Sequence, residues 1–426
     1  MNPTAPLPAE VDSCDEPAHG QHGLRLEEAR ARILAQVQPV TGRESLELRE
    51  ALGRVLIEHV RSTVNVPSHT NSAMDGVALA GEELPATGER AFRVIGTAWA
   101  GRPYPGSVES GQCVRIMTGA TLPHGTDTVV MQEHVRTDGD TAVIAAGHRP
   151  GQHRREAGED VRAGEVAVAA GTLLRPAHLG LIASVGVGQV QVRRRPRVAV
   201  FSTGDELRSA GELLGEGQIY DSNRYSVCGM VARLGAEVID LGIVPDRRED
   251  TERALARAAA NADAIVTSGG VSVGAADFVV ETLGKLGTIG FWQVAMKPGK
   301  PIAFGQVGRA LFFGLPGNPV SAMATFYQLV QPALKKLGGS LEVDPPILLR
   351  ATCRSKLKKA AGRLEFQRGV LERDPQGAYV VRATGQQGAG MLRSMTEANC
   401  FIVLPLEQET VQPGAEVDVQ PFAGLV

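Results

Sequence analysis

Residues 264–277 read AIVTSGGVSVGAAD. A short apolar run of the buried-strand kind gives way to glycines and small side chains, with no charge until Asp277. Glycine lets a backbone adopt positive φ and approach a ligand closely, and small neighbours leave amide N–H groups open. A glycine pair after a strand is also an ordinary tight turn, so the flanking chain decides the reading.

Upstream, RVAVFST (197–203) and AEVIDLGIV (236–244) read as strands, and DSNRYSVCGMVARLG (221–235) and EDTERALARAAANA (249–262) as helices. Downstream, DFVVETLGKLG (277–287) reads as a helix, FWQVAM and ALFFGL as strands, and 318–338 as one long helix bent at Pro332. Strand and helix alternate, so 194–338 is expected to be a doubly wound α/β domain with a largely parallel sheet.

The rest of the chain has other textures. Residues 1–23 are a polar, Pro-containing tail in which His19 and His22 read as solvated rather than as metal ligands. Residues 24–57 and 148–193 form a mixed α/β connecting domain, opening on a helical pattern at Leu26, Ala29, Ile33, Leu34 and Val37. Residues 58–147 are β-rich with many turns, and RRRPR (193–197) reads as a solvated linker. Residues 339–426 carry short strands (ILLRATC, AYVVRAT, CFIVLP, EVDVQPF) and read as a small, barrel-like β-domain.

Composition narrows the function. The 426 residues carry a net charge of −3, which gives no footprint for nucleic acid. The five cysteines are odd in number, widely spaced and without C-x-x-C, which argues against a zinc knot or disulfide framework and fits a cytoplasmic protein. No apolar run approaches the ~20 residues of a membrane span, and no secretory signal is visible.

In an open α/β sheet, ligands bind beyond the carboxyl ends of the strands. Three Gly-rich turns fall there: STGDEL (202–207), the stretch from Ser268, and GLPGNPVS (314–321), where Asn318 suits an N-cap and Pro319 the first helical position. Together they make a candidate phosphate cradle. Acids accompany them. Asp205 and Asp221 read at least as well as caps, whereas Glu206, Asp246 and Asp277 point to a cation, Mg²⁺ being the usual bridge between carboxylates and phosphate. KPGKP (297–301) adds Lys297 and Lys300 on a rigid turn, suited to an oxyanion. Elsewhere Asp75, Thr118 and Asp160 precede or follow glycine in loops, and spacing alone ties none of them to the cradle.

SAMDG (72–76), MTGA (117–120), GED (158–160), STGDEL, IYDSNR (219–224), SGGVSVG-x-x-D, KPGKP and GLPGNPVSA, in this order, resemble the MoeA family of molybdopterin molybdenumtransferases, to which the gephyrin E domain is related. The likeness runs from about 24 to 424. It implies a four-domain homodimer that takes molybdate and adenylylated molybdopterin, cleaves the pyrophosphate link, releases AMP and leaves molybdenum on the pterin, with Mg²⁺ taking part. The family's catalytic residues match Asp75, Thr118, Glu206, Asp246, Asp277 and Lys297, and its metal ligands Asp160, Glu206, Asp246 and Asp277. The substrates would lie against Ser268, Gly269, Gly270, Ser272, Gly274, Lys300, Pro316, Gly317 and Asn318, with Lys300 and the Pro316–Gly317 turn the candidates for the molybdate pocket. The resemblance also implies that the SAMDG and MTGA loops of one subunit face the α/β domain of the other, and contact with the adenylyltransferase or downstream molybdoenzymes. Two positions depart from the pattern: Gln293 stands where a Lys is common, and Val77 where an aromatic is frequent. The alternatives are the preceding adenylyltransferase step and a non-catalytic scaffold of gephyrin type.

Overall fold

The computed structural model describes residues 23–269 and 287–422. The N-terminal tail through residue 22 and most of the expected helix 277–287 lie outside the described residues. The chain forms two compact units, one including Arg193–Val426 and the other Leu56–Val192.

The first unit is built on a six-stranded sheet: β1 (Arg197–Thr203), β2 (Glu237–Val244), β3 (Ala264–Ser268), β4 (Gly287–Gln293), β5 (Pro301–Val307) and β6 (Ala310–Leu315), in the order β2-β1-β3-β6-β5-β4. β2, β1, β3 and β6 run parallel, and β5 and β4 complete the sheet antiparallel. Helix covers both faces. Val198 and Val200 of β1 pack with Val227, Met230 and Val231 of the helix Ser222–Arg233, while Ala199 and Phe201 pack with Leu255 and Ala258 of Arg248–Asn261. That two-sided burial is why β1 reads as a continuous apolar run. The helix Leu26–Gln36 joins the same core through Leu26, Ala29 and Ile33.

Three local findings differ from the sequence reading. β5 is an additional strand, disguised by Pro301 at its start, a position where proline costs no ladder donor. The helix expected over 318–338 is α-helical over Pro319–Thr325 and Gln331–Leu337, with a π-helical turn at Phe326–Val330 between them. Pro332 has no N–H to give, and the ladder widens just before it. The basic run at 193–197 is a clasp rather than a solvated linker. Both guanidinium ends of Arg194 reach Asp263 at 2.7 Å, Arg197 N–H donates to the same carboxylate, and Arg193 donates to Val40 O.

The C-terminal region of this unit is a closed five-stranded barrel, in the order Leu364–Arg373, Tyr379–Ala383, Leu349–Cys353, Glu416–Pro421, Cys400–Leu404 and back to the first. The strand Leu364–Arg373 escapes the sequence reading because Glu365, Gln367 and Arg368 are buried in it and Gly369 interrupts it. Met296–Lys297 pairs parallel with its start, Met296 opposite Leu364 and Lys297 opposite Glu365.

The second unit is β-rich. Its six-stranded sheet runs Thr128–Met131, Gly76–Leu79, Gln112–Ile116, Glu89–Ala98, Thr141–Ala145, Val135–Asp138, with Val77, Leu79, Phe92 and Ile144 in one of its cores. Val77, in the aromatic position, is therefore buried core.

The clasp predicts a contrast between neighbours. Arg194→Ala should lower the thermal midpoint by about 3–8 °C, since a half-buried carboxylate that also holds Arg197 N–H loses its two-pronged partner, while Arg195→Ala should lower it by less than about 2 °C. Equal losses would show that Arg194 is a surface charge.

Candidate active site

The order β2-β1-β3 places the topological switch point between the carboxyl ends of β1 and β3, where open α/β sheets bind ligands. The turn after β1 gathers acids. At Gly204, with φ +148°, an added Cβ would lie 2.5 Å from Glu206 Oε2, so glycine makes room for that carboxylate to fold back. Asp205 Oδ1 accepts the backbone N–H of Asp246 at 3.2 Å and is a turn partner rather than a helix cap. Burial, then the negative charges of Asp205 and Glu206, push the Asp246 carboxyl above its ordinary value. Asp221 is structural: it caps Arg224 N–H, accepts from Ser202 Oγ and pairs with the Arg224 guanidinium.

After β3, Gly269 has φ +86°, and a Cβ there would sit 2.8 Å from Thr203 O, so a side chain would force β1 and β3 apart. Ser268 is buried. Gly270, Ser272, Gly274 and Asp277 lie outside the described residues. Pro316 is buried, Gly317 and Asn318 are exposed, and Asn318 occupies the N-cap position without a side-chain capping bond. Asn223, a residue the sequence reading passed over within IYDSNR, binds these turns together. Its Nδ2 donates to Ser268 Oγ and to Gly317 O, both at 2.7 Å.

The KPGKP turn faces the barrel across a cavity of about 630 Å³. Gly299 allows the close approach, since a Cβ would fall 2.4 Å from Thr325 Oγ1. Lys297, Lys300, Lys356, Lys358, Arg363 and Arg368 line the cavity, with Glu365. Lys297 Nζ reaches Glu365 Oε1 at 3.1 Å. Arg368 is 1% exposed and donates to neutral oxygens, Ser394 Oγ and Gly388 O, both at 3.0 Å. Burial pulls its pKa down to about 10. Arg368 is thus a buried guanidinium held by neutral groups beside an open cavity. The sequence reading missed this arginine, although an arginine between apolar residues of one strand is itself a signal. The exposed Gln293 accepts Leu24 N–H on its backbone O at 2.7 Å.

In the second unit, Thr118 donates both its backbone N–H and its hydroxyl to Asp75 Oδ1 at 2.7 Å. Those two bonds hold the Asp75 carboxyl below its ordinary pKa. Gly76 follows because a Cβ there would lie 1.9 Å from Val130 O. Asp160 is exposed and donates its backbone N–H to Val66 O. Among the described residues, no group of three or more His, Cys, Asp or Glu is arranged to hold a metal ion. No described helix is long and apolar enough to cross a membrane.

Comparison with known proteins agrees with this layout. Residues 24–186 match the MoeA N-terminal region (domain I and II), 199–336 the probable molybdopterin binding domain, and 350–422 the MoeA C-terminal region (domain IV). The chain is 45% identical over 404 residues to the molybdopterin molybdenumtransferase of Haemophilus influenzae, covering 95% of this chain and 100% of that one. It is 32% identical to the gephyrin of Dictyostelium discoideum, covering 85% of this chain and 57% of that one. The crystal structure of a molybdopterin biosynthesis MoeA protein from Pyrococcus horikoshii OT3 superposes with a TM-score of 0.80 at 28% identity, covering 93% of this chain and 99% of that one. The chain belongs to the MoeA family of molybdopterin molybdenumtransferases.

Proposed function

We propose that the chain transfers molybdenum from molybdate to adenylylated molybdopterin, cleaving the pyrophosphate link and releasing AMP. The observation that carries this reading is the cationic cavity between KPGKP and the barrel, a site built for an oxyanion on the same unit as the acidic, Gly-rich crevice. In this reading Lys297 offsets charge on the departing AMP phosphate, while Lys300 and Arg368 hold molybdate. The pterin nucleotide lies against Ser268, Gly269, Pro316, Gly317 and Asn318, and against Gly270, Ser272 and Gly274 beyond the described residues.

The acids fit a hard divalent cation. Asp246 titrates high partly because Asp205 and Glu206 leave negative charge unbalanced around it. Two carboxylates completed by phosphate oxygens and water make an ordinary Mg²⁺ shell. Glu206 and Asp246 would hold the ion, with Asp277 and Asp160 as the further proposed ligands, and Mg²⁺ would neutralise phosphate charge there. Asp75, kept ionised by Thr118, completes the proposed set of catalytic groups. A cytoplasmic homodimer, with contacts to the adenylyltransferase or to molybdoenzymes, belongs to the same proposal, and sedimentation would test the dimer.

Purified chain given adenylylated molybdopterin, Mg²⁺ and molybdate should release AMP, and should release little when molybdate is omitted. AMP release indifferent to molybdate would overturn the assignment.

Arg368→Ala and Lys300→Ala should each raise the half-saturating molybdate concentration by about tenfold or more, leaving pterin-nucleotide affinity within about twofold. Loss of nucleotide affinity instead would move the oxyanion site elsewhere.

Asp246 also predicts a linkage. A carboxyl whose folded pKa lies above its unfolded value binds protons more tightly in the folded state. Stability therefore falls as pH rises from about 3.9 through the folded value. Asp246→Asn should raise the midpoint at neutral pH, flatten that fall, abolish the Mg²⁺-induced rise in midpoint and abolish AMP release. An unchanged Mg²⁺ response would remove Asp246 from the ion's shell.

A further inference from the structure

Six cations line the cavity between KPGKP and the barrel, with one acid among the described residues, Glu365. Glu365 is 4% exposed. A buried carboxylate opposes any anion that enters beside it, so its place among those cations calls for another role. Its partners point to one. Oε1 accepts from Lys297 Nζ and Oε2 from Gln367 Nε2, both at 3.1 Å. Gln367, buried two residues further along the same strand, also donates to Lys358 O at 3.1 Å. One carboxylate oxygen is thus anchored to the barrel and the other is turned to the lysine. Lys297 needs such an anchor. Its side chain is 49% exposed, and a lysine is a point charge on a flexible four-carbon stem. The ladder sets its backbone opposite Glu365 but leaves that stem free to swing. An ammonium has three N–H groups, so Nζ can keep Glu365 and still donate to a ligand. Lys359, buried within electrostatic reach of Glu365, spends its N–H groups on Ala360 O, Leu406 O and Gln408 O.

Resting on the functional reading above, we propose that Glu365 is the positioning residue for Lys297. It holds the ammonium where the departing AMP phosphate meets it, and its own charge weakens molybdate binding in return. Glu365 acts through Lys297 on the rate and through its field on binding. The two effects have opposite sign, which a merely structural role does not produce: damage to the barrel would weaken binding and rate together.

Glu365→Gln separates the two effects. Glutamine keeps the shape but accepts on one atom only, so it cannot serve both Lys297 and Gln367. Given the full chain, Mg²⁺ and adenylylated molybdopterin, the half-saturating molybdate concentration should fall by about threefold or more, while kcat for AMP release falls by about tenfold or more. Equilibrium dialysis of molybdate against the full chain, without turnover, should give the same tightening. Glu365→Asp keeps the charge on a shorter stem. It should return molybdate affinity to within about twofold of wild type and recover only part of kcat. Gln367→Met covers the case in which Glu365→Gln does not fold. The charge stays and its anchor is lost, so kcat should fall by about threefold or more with half-saturating molybdate within about twofold of wild type. The proposal is overturned if Glu365→Gln raises the half-saturating molybdate concentration or leaves kcat unchanged, or, where that variant does not fold, if Gln367→Met leaves kcat unchanged. In each of these cases molybdate-dependent AMP release by wild type keeps the functional reading standing. A wild type whose AMP release ignores molybdate removes that reading and the role of Glu365 together.

Discussion

Like charges gathered in one place are tolerated only where something else supplies the opposite charge, and this molecule gathers them twice. Asp205, Glu206 and Asp246 crowd the turns after β1 and β2, and six cations line the cavity between KPGKP and the barrel. Neither cluster contributes to stability on its own. Burial, then the charges of Asp205 and Glu206, raise the pKa of Asp246, and burial alone depresses that of Arg368. In the function proposed above, a cation from solution balances the first cluster and an oxyanion the second. The rest of the first unit keeps these two charges apart and fixed.

Backbone, more than side chain, does the fixing. Gly204 gives space to Glu206, Gly269 lets β3 close on Thr203, and Gly299 lets the lysine turn settle against Thr325. Asn223 then ties the turn after β3 to the turn after β6. Each of these glycines would clash with a specific atom if given a Cβ, which separates them from the many glycines that merely reverse the chain.

The α/β domain was legible because its strands are buried on both faces and its helices carry the 3.6-residue period. RVAVFST and AIVTS read as strands for that reason and are strands. The glycine loops and the acids could be found, since glycine and carboxylate clustered at strand ends add nothing to an apolar core. What escaped were polar residues in apolar surroundings. Arg368 and Glu365 sit inside a barrel strand, and their presence hid both the strand and the cavity it lines. Arg194 was misread because a run of arginines looks solvated until Asp263, far along the chain, is brought to it. Asn223 was invisible for a related cause. Its role depends on two turns distant in sequence, and local patterning cannot see a bridge whose ends are 45 and 94 residues away.

The two-residue ladder that joins Met296–Lys297 to the barrel acts as a gauge. Side chains on a strand alternate between faces, so sliding this ladder by one position would exchange the neighbours of Met296 and Lys297. Lys297 would then turn from Glu365 toward the apolar side, and Met296 would take its place at the cavity wall. The barrel therefore calibrates where the lysine turn presents its charge, and changes in its distant hairpins can retune the cationic cavity while leaving every residue of its lining untouched.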